Sequence, residues 1–410
     1  MRDDADRFSE LPRAMSARAP GLWLAEAALR RLLDQIAVGH LTIVTPDGRR
    51  LSSRGGRPGP EATLVLHRWR ALRRLATGGD VAFSEAYVDG DWSSPNLPAV
   101  IELAAHNLPD ISARAAAWGP ARLVNRVRHL LRRNSKAGSR RNISFHYDLG
   151  NAFYRLWLDD GMNYSSAIEI APGQSLEEAQ AARLDRIAEM LEILPGHKVL
   201  EIGCGWGALA ATMARRGANV TGITLSREQL AYARESHAAD PALAGRTDFH
   251  LVDYRDVGGR YDRIVSIEMM EAVGEAYWPV YFAKLRECLA PGGTAVLQVI
   301  TIAEDRFETY RRNTDFIQRH IFPGGMLPTK THIAGHARAA GLEPVESLCF
   351  GNGYAQTLAE WRSRYMAARS RTEPLGFGPA FHRLWEYYLG YCEGGFRAGA
   401  IDVGLYKFRG

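Results

Sequence analysis

From Val199 to Ile300 the chain alternates short apolar runs with helical segments. Val199 to Ile202 reads as a strand and Ala208 to Arg216 as a helix. Ala218 to Leu225 is the next strand, and Arg227 to Ser236 the next helix. Thr247 to Val252 predicts a strand ending at Asp253-Tyr254, and Tyr261 to Ile267 another. A helix over Ala276 to Leu289 then leads through a turn, Pro291-Gly292-Gly293, into strand Thr294 to Ile300. Strands separated by helices predict a parallel, doubly wound α/β sheet. In such a sheet ligands sit beyond the carboxyl ends of the strands. Those tips are Gly203 to Gly207, Thr224 to Ser226, Asp253-Tyr254 and Glu268 to Glu271, and all four open onto one crevice.

Residues 1–110 predict a smaller α/β domain of their own. Gly39 to Val44 followed by Pro46-Asp47-Gly48 reads as a strand and turn, and Arg68 to Ala76 as a helix ended by Gly78-Gly79-Asp80. The Gly/Arg/Pro cluster Arg54 to Pro60 reads as a mobile loop. Residues 111–141 separate this domain from a catalytic domain over 142–410.

The tip after the first of the catalytic strands carries glycines at alternate positions, Gly203, Gly205 and Gly207. Glycines there let a backbone approach a ligand that any side chain would block. The spacing is G-x-G-x-G, which differs from the G-x-G-x-x-G of dinucleotide-binding folds. An acid immediately before the turn, Glu201, is the residue with which S-adenosylmethionine (SAM) methyltransferases steer the backbone around the methionine part of the cofactor. An acid for the ribose, usual about 20 residues past the first glycine, is missing. Thr224 and Gln229 stand near that place, and Asp253 ends the third strand.

Composition narrows the class. A hydrophobic content of 46% and a charged content of 24% suit a globular chain. Without an apolar run long enough to span a bilayer, and with a first decapeptide rich in acids, the chain reads as neither membrane-spanning nor led by a signal peptide. The four cysteines are scattered, which fits a reducing cytoplasm. The twelve histidines form no ligand set, so no metal is expected. Charge is unevenly placed: residues 1–141 hold 23 basic and 14 acidic side chains, while the whole chain carries only +5. Ser112 to Arg141 has nine Arg or Lys and no acid, with Leu123, Val127 and Leu130 at helical spacing. This basic amphipathic segment suits either an anionic lipid surface or an ordinary solvated helix face. Nothing in it resembles a nucleic-acid recognition motif.

Just before the glycine turn stands Ser144-Phe145-His146-Tyr147-Asp148-Leu149-Gly150-Asn151, continued by Phe153-Tyr154, Leu156-Trp157-Leu158-Asp159 and Met162-Asn163-Tyr164-Ser165. With Gly222 to Ser226, Asp253 to Asp256, Tyr261 to Ile267, Ile321-Phe322-Pro323 and Gly395-Phe396-Arg397, this block resembles the cyclopropane-fatty-acyl-phospholipid synthase family, which includes the mycolic acid cyclopropane synthases. The resemblance implies a class I SAM-methyltransferase fold of Rossmann-like type. It implies SAM binding by Tyr164, Ser165, Gly203, Gly205, Thr224 and Gln229. It also implies a bicarbonate ion held by Ser166, Glu271, Gln298, Ile300 and Tyr354. Two of these depart from the family's usual types, Cys at the place of Ser166 and His at the place of Gln298.

The implied chemistry is methylation of a cis alkene in a phospholipid acyl chain, through a carbocation and loss of a proton. Cyclopropane formation leads; a methyl-branched, methylene or furan-precursor chain is the alternative, and a soluble small-molecule substrate a further one. Phe145, Tyr147, Phe153, Tyr154 and Trp157 are candidates to line the acyl slot. Cys204 reads as a small filler between glycines, and His146 as either a base or a structural hydrogen-bonding group. The same resemblance suggests a homodimer, peripherally bound to the anionic inner face of the cell membrane.

Overall fold

The computed structural model describes residues 22–115 and 149–410. The basic segment beyond residue 115, together with Phe145, His146 and Tyr147, lies outside the described residues.

The catalytic strands form where the apolar runs predict them. In the small N-terminal sheet the strands are β1 (Val38–Val44), β2 (Arg50–Arg54), β3 (Arg57–Leu66) and β4 (Trp92–Ser93). In the large sheet they are β5 (Lys198–Ile202), β6 (Asn219–Thr224), β7 (Thr247–Leu251), β8 (Tyr261–Ile267), β9 (Leu289–Ile302), β10 (Glu343–Cys349) and β11 (Ile401–Arg409). The large sheet runs β10-β11-β9-β8-β5-β6-β7. Strands β5 to β9 pair in parallel, which puts their carboxyl ends along one edge. The two C-terminal strands β10 and β11 join antiparallel to the flank of β9 and have no counterpart in the sequence reading.

Alternation along the strands explains the two-sided core. Val199, Val265 and Val296 pack on one face of the sheet, in the cluster that includes Leu184 and Ile187 of helix Leu176–Met190. Leu200, Ile264 and Leu297 pack on the other, with Phe282 and Leu285 of helix Trp278–Cys288. Glu201 shares the face of Val199 and so points toward helix Leu176–Met190.

Two local expectations change, and one holds in an unexpected setting. Pro291-Gly292-Gly293 lies inside β9, because Gly292 N–H donates to the Gly410 carbonyl and the register with β8 slips across this stretch. The helix stop expected at Gly78-Gly79 holds: Arg70–Val88 is two helices meeting at a kink where Gly79 takes a non-helical φ 68°, ψ −154°, and the second helix follows at once. Most of the expected loop Arg54 to Pro60 is strand. Only Gly55-Gly56 separates β2 from β3, and Gly55 sits so close to Ala37 that a Cβ would lie 2.3 Å from its carbonyl carbon.

The N-terminal sheet, in the order β2-β1-β3-β4, shares a core with the catalytic part. The seam is helix Pro379–Arg397. Its Tyr387 meets the rings of Tyr87 and Trp92, and its Gly390 and Gly394 lie against helix Leu97–Ala115. A Cβ on Gly394 would stand 2.7 Å from Ile101 Cβ and from the Pro98 carbonyl, so only glycine permits this helix crossing. No described helix is long and apolar enough to cross a membrane.

Candidate functional site

The glycine turn closes between β5 and helix Ala208–Arg215. Gly203, Gly205 and Gly207 all have positive φ, 82°, 54° and 96°. The turn is pinned by the N–H groups of Gly203 and Cys204, which both donate to the Ile223 carbonyl at 2.9 and 3.0 Å. Gly205 faces open space, with nothing within 4 Å of where a Cβ would be, so a ligand can meet bare backbone there. Glu201, 3% exposed, accepts from the Ala210 N–H and thereby ties the strand end to the first turn of the following helix. Its Oε2 is buried without a hydrogen-bond partner. Burial pushes its carboxyl up to about 8, against a lowering by the Arg183 charge. An unpartnered acceptor beside an exposed glycine backbone fits a cofactor that brings its own donors.

At the end of β6 the structure joins the two residues expected near the ribose. Thr224 Oγ1 and Gln229 Oε1 are 2.9 Å apart, and Ser226 caps the helix that carries Gln229. Asp253 behaves differently. Both its oxygens bind the Arg255 guanidinium at 2.7 Å, and it caps the turn Tyr254–Asp256. Tyr164 shares a 2.7 Å hydrogen bond with Tyr388. Cys204 is buried and burial holds its thiol well above the usual range, as suits a small filler between glycines. Phe153, Tyr154 and Trp157 have no exposed surface and pack on one another edge-to-face or tilted, so they are core rather than slot lining. Ile267, Ile300, Ile317 and Phe322 are half-buried and pack against the same core.

Two of the five residues expected to hold an anion, Tyr354 and Gln298, converge, and they do so on a carboxylate of the chain itself. Tyr354 O–H donates to Glu268 Oε2 at 2.8 Å. Gln298 Nε2 donates to Glu268 Oε1 at 2.8 Å, and Ser165 Oγ donates to the same oxygen at 2.5 Å. Ser166 is more distant, its Oγ 3.4 Å from Gln298 Nε2. Glu271 and Ile300 form a separate pair: Ile300 N–H donates to Glu271 Oε1, and Glu271 Oε2 is buried and unpartnered.

Glu268 follows β8 directly, its N–H donating to the Gln298 carbonyl, and its φ is +50°. A non-glycine residue held in the left-handed region costs about 1–3 kcal/mol and marks a site where geometry is imposed. Glu268 and Glu271 keep some accessible surface, yet both lie deep enough that burial raises their carboxyls. Glu271 reaches about 8, with the charge of Glu268 as the second cause. For Glu268, the bonds from Ser165, Tyr354 and Gln298 and the Arg183 charge work the other way.

Sequence reasoning placed Glu268 at the tip and gave it no role. The visible signal was two acids three residues apart, Glu268 and Glu271, where one suffices to cap a helix. Arg183 was also missed. It sits on the buried stripe Leu176, Ala179, Gln180, Leu184, Ile187, and a cation in such a stripe needs a reason.

A sequence model of the family described as mycolic acid cyclopropane synthetase matches residues 134–406. The chain belongs to this family. It is a SAM-dependent methyltransferase. The tuberculostearic acid methyltransferase UfaA1 of Mycobacterium tuberculosis is 38% identical over 98% of this chain and 94% of its own length. The cyclopropane-fatty-acyl-phospholipid synthase of Escherichia coli strain K12 is 34% identical over 81% of this chain and 84% of its own. The crystal structure of the mycolic acid cyclopropane synthase CmaA1 complexed with SAH and CTAB superposes with a TM-score of 0.62. It is 30% identical and covers 66% of this chain and 98% of that one.

Proposed function

We propose that this methyltransferase methylates a cis alkene in the acyl chain of a membrane phospholipid, with the Glu268 carboxylate as the base, and releases a methylated open chain. The observation that carries the reading is Glu268 itself. Its carboxylate accepts from Tyr354 and Gln298, two of the side chains that the family resemblance assigns to bicarbonate. The chain thus brings a carboxylate to the place of the borrowed anion.

SAM, when bound, supplies an electrophilic methyl on a positively charged sulfur. Glu201, the glycine turn and the Thr224–Gln229 pair are the residues that would hold it. Ile267, Ile300, Ile317 and Phe322 are the apolar surface against which an alkene would lie dry, and a dry, aligned alkene is what this weak nucleophile needs. The π pair forms the new C–C bond as the sulfur–methyl bond breaks, leaving a cation on the acyl chain. The Glu268 carboxylate faces that cation and stabilises it. It then takes a proton, and the C–H pair becomes a new C=C bond. Tyr354 and Gln298 hold the carboxylate in place while its charge is neutralised. Glu271, half-buried with one unpartnered oxygen, fixes the Ile300 backbone beside the chain.

Support for an open-chain product comes from the relative aligned over nearly the whole length, whose name is that of a methyltransferase. Cyclopropane closure is the second reading, favoured by the family match. The basic residues 112–141 are proposed to draw the protein to anionic lipid, as a homodimer at the inner membrane face.

The test is expression in a host without acyl-modifying enzymes, fed methionine with a trideuterated methyl, followed by mass spectrometry of the fatty acids. A methylated, ozone-cleavable chain keeping two deuteriums supports a methylene product made by proton loss from the new methyl. Three deuteriums mean that the proton left from the chain. A labelled product resistant to ozone is the ring and overturns the open-chain reading. An unlabelled lipid fraction with soluble, SAM-binding protein overturns the lipid substrate.

A further inference from the structure

Arg183 is 2% exposed, and its guanidinium donates to three amide oxygens. They are Gln180 Oε1 at 3.0 Å, Asn163 Oδ1 at 3.3 Å and Gln298 Oε1 at 3.4 Å. Two of these amides each donate onward to a carboxylate. Asn163 Nδ2 donates to Asp159 Oδ2 at 2.7 Å, and Gln298 Nε2 donates to Glu268 Oε1 at 2.8 Å. The guanidinium is therefore joined to two carboxylates through one amide each.

This layout constrains Gln298. Its carbonyl must face Arg183 and its NH2 must face Glu268 and Ser165. With the amide reversed, the NH2 would oppose a guanidinium that only donates, and the carbonyl would oppose a carboxylate that only accepts. Histidine at this position could donate to an anion without such a partner, whereas glutamine needs something to set its orientation. We propose that Arg183 is a positioning residue for the reaction: through Gln298 it fixes the donor aimed at Glu268 and holds a positive charge one amide away from that carboxylate. This rests on the reading of Glu268 given above.

The groups facing Glu268 come from every neighbouring element. They are Ser165 from the segment before helix Leu176–Met190, Arg183 from that helix, Gln298 from β9, Tyr354 from helix Gly351–Ala367, the Cys392 thiol from helix Pro379–Arg397 and Glu271 from the turn Met270–Val273. Among these Arg183 is the cation. Removing it takes away a stabiliser of the charged form, so the Glu268 proton is lost at higher pH.

The experiment uses the full chain and the variants Arg183→Met, Arg183→Lys and Glu268→Gln. The first readout is the pH profile of kcat/KM. In Arg183→Met the acid limb should move up by about one pH unit or more, with activity at neutral pH down about tenfold to a hundredfold. SAM affinity should stay within about threefold. Arg183→Lys should leave the limb near its wild-type position, since it keeps the charge and loses only the fork. A rate loss with an unmoved limb would mean that Arg183 merely packs the helix, and would overturn the proposal. The second readout needs no activity: denaturant unfolding of Arg183→Met with and without Glu268→Gln. A smaller stability loss in the Glu268→Gln background shows that the two residues are coupled; equal losses overturn the proposal even if a variant is inactive. Wild-type protein that modifies no lipid would sink the proposed reaction while leaving this coupling readable, so the two failures are distinct.

Discussion

The two halves of the proposed site are built from different material. The cofactor half is mostly backbone: three glycines with positive φ, carbonyl and N–H groups at strand ends, and a hydroxyl–amide pair at Thr224 and Gln229. The reaction half is side chain: carboxylates from Glu268 and Glu271, donors from Tyr354, Gln298 and Ser165, and the Arg183 cation behind them. A backbone site is spread over many weak contacts, so trimming one should weaken binding by degrees. A side-chain site concentrates its chemistry on one group, so losing that group should stop turnover while binding survives.

Glu268→Gln tests that contrast most severely. Activity should fall about a thousandfold, with SAM affinity within about threefold by calorimetry. A fall of under about tenfold would erase the contrast and remove Glu268 as the base. Glu271→Gln should cost about a hundredfold with cofactor binding kept, because the amide can still accept from the Ile300 N–H but cannot ionise at the position of the unpartnered Oε2. Glu268→Gly should be inactive in bicarbonate-free buffer and regain about tenfold or more when bicarbonate is added, as the vacated donors accept an outside anion. Its melting temperature should fall, because the donors of Ser165, Gln298 and Tyr354 lose their acceptor, which outweighs the relief of the φ of +50°, and should partly recover with bicarbonate. Thr224→Val should raise the KM for SAM by about tenfold at unchanged kcat, through loss of its contact with Gln229.

The smallest effect is on stability against pH. The Glu201 and Glu271 carboxyls sit at about 8 in the folded chain, above the ordinary glutamate value. Each therefore favours folding while protonated, fully so below about 4.5, and that contribution is lost as pH rises toward 8. The denaturation midpoint of cofactor-free protein should fall from pH 5 to pH 8, and Glu271→Gln should flatten the slope.

The cofactor half was legible in the sequence because its determinants are local. Alternating glycines after an apolar strand, and Thr224 five residues before Gln229, are adjacent along the chain. The parallel core of the sheet was legible for the same reason. The antiparallel strands β10 and β11 were not: β10 carries mostly exposed residues and lacks an alternating apolar signature, and β11 owes its place to pairing with β9, far away along the chain. Glu268 was passed over because its role depends on Tyr354 and Gln298, which lie 86 and 30 residues away. Asp253 shows the converse: a well-placed acid at a strand tip whose oxygens are taken up by its near neighbour Arg255.

Helix Pro379–Arg397 has a practical consequence for anyone who divides this chain. One flank of it packs on the N-terminal unit through Tyr387, Gly390 and Gly394. The other side belongs to the catalytic core through Trp385 and Tyr388, the latter bonded to Tyr164. A catalytic fragment cut after residue 115 would expose a groove floored by glycine and walled by aromatic rings, a surface prone to self-association. The solved cyclopropane synthase aligns with only two-thirds of this chain, so fragments designed on its outline would inherit that groove. Filling Gly390 and Gly394 to mend it would forbid the full-length packing, so one pair of glycines makes the shorter and longer architectures mutually exclusive in this sequence.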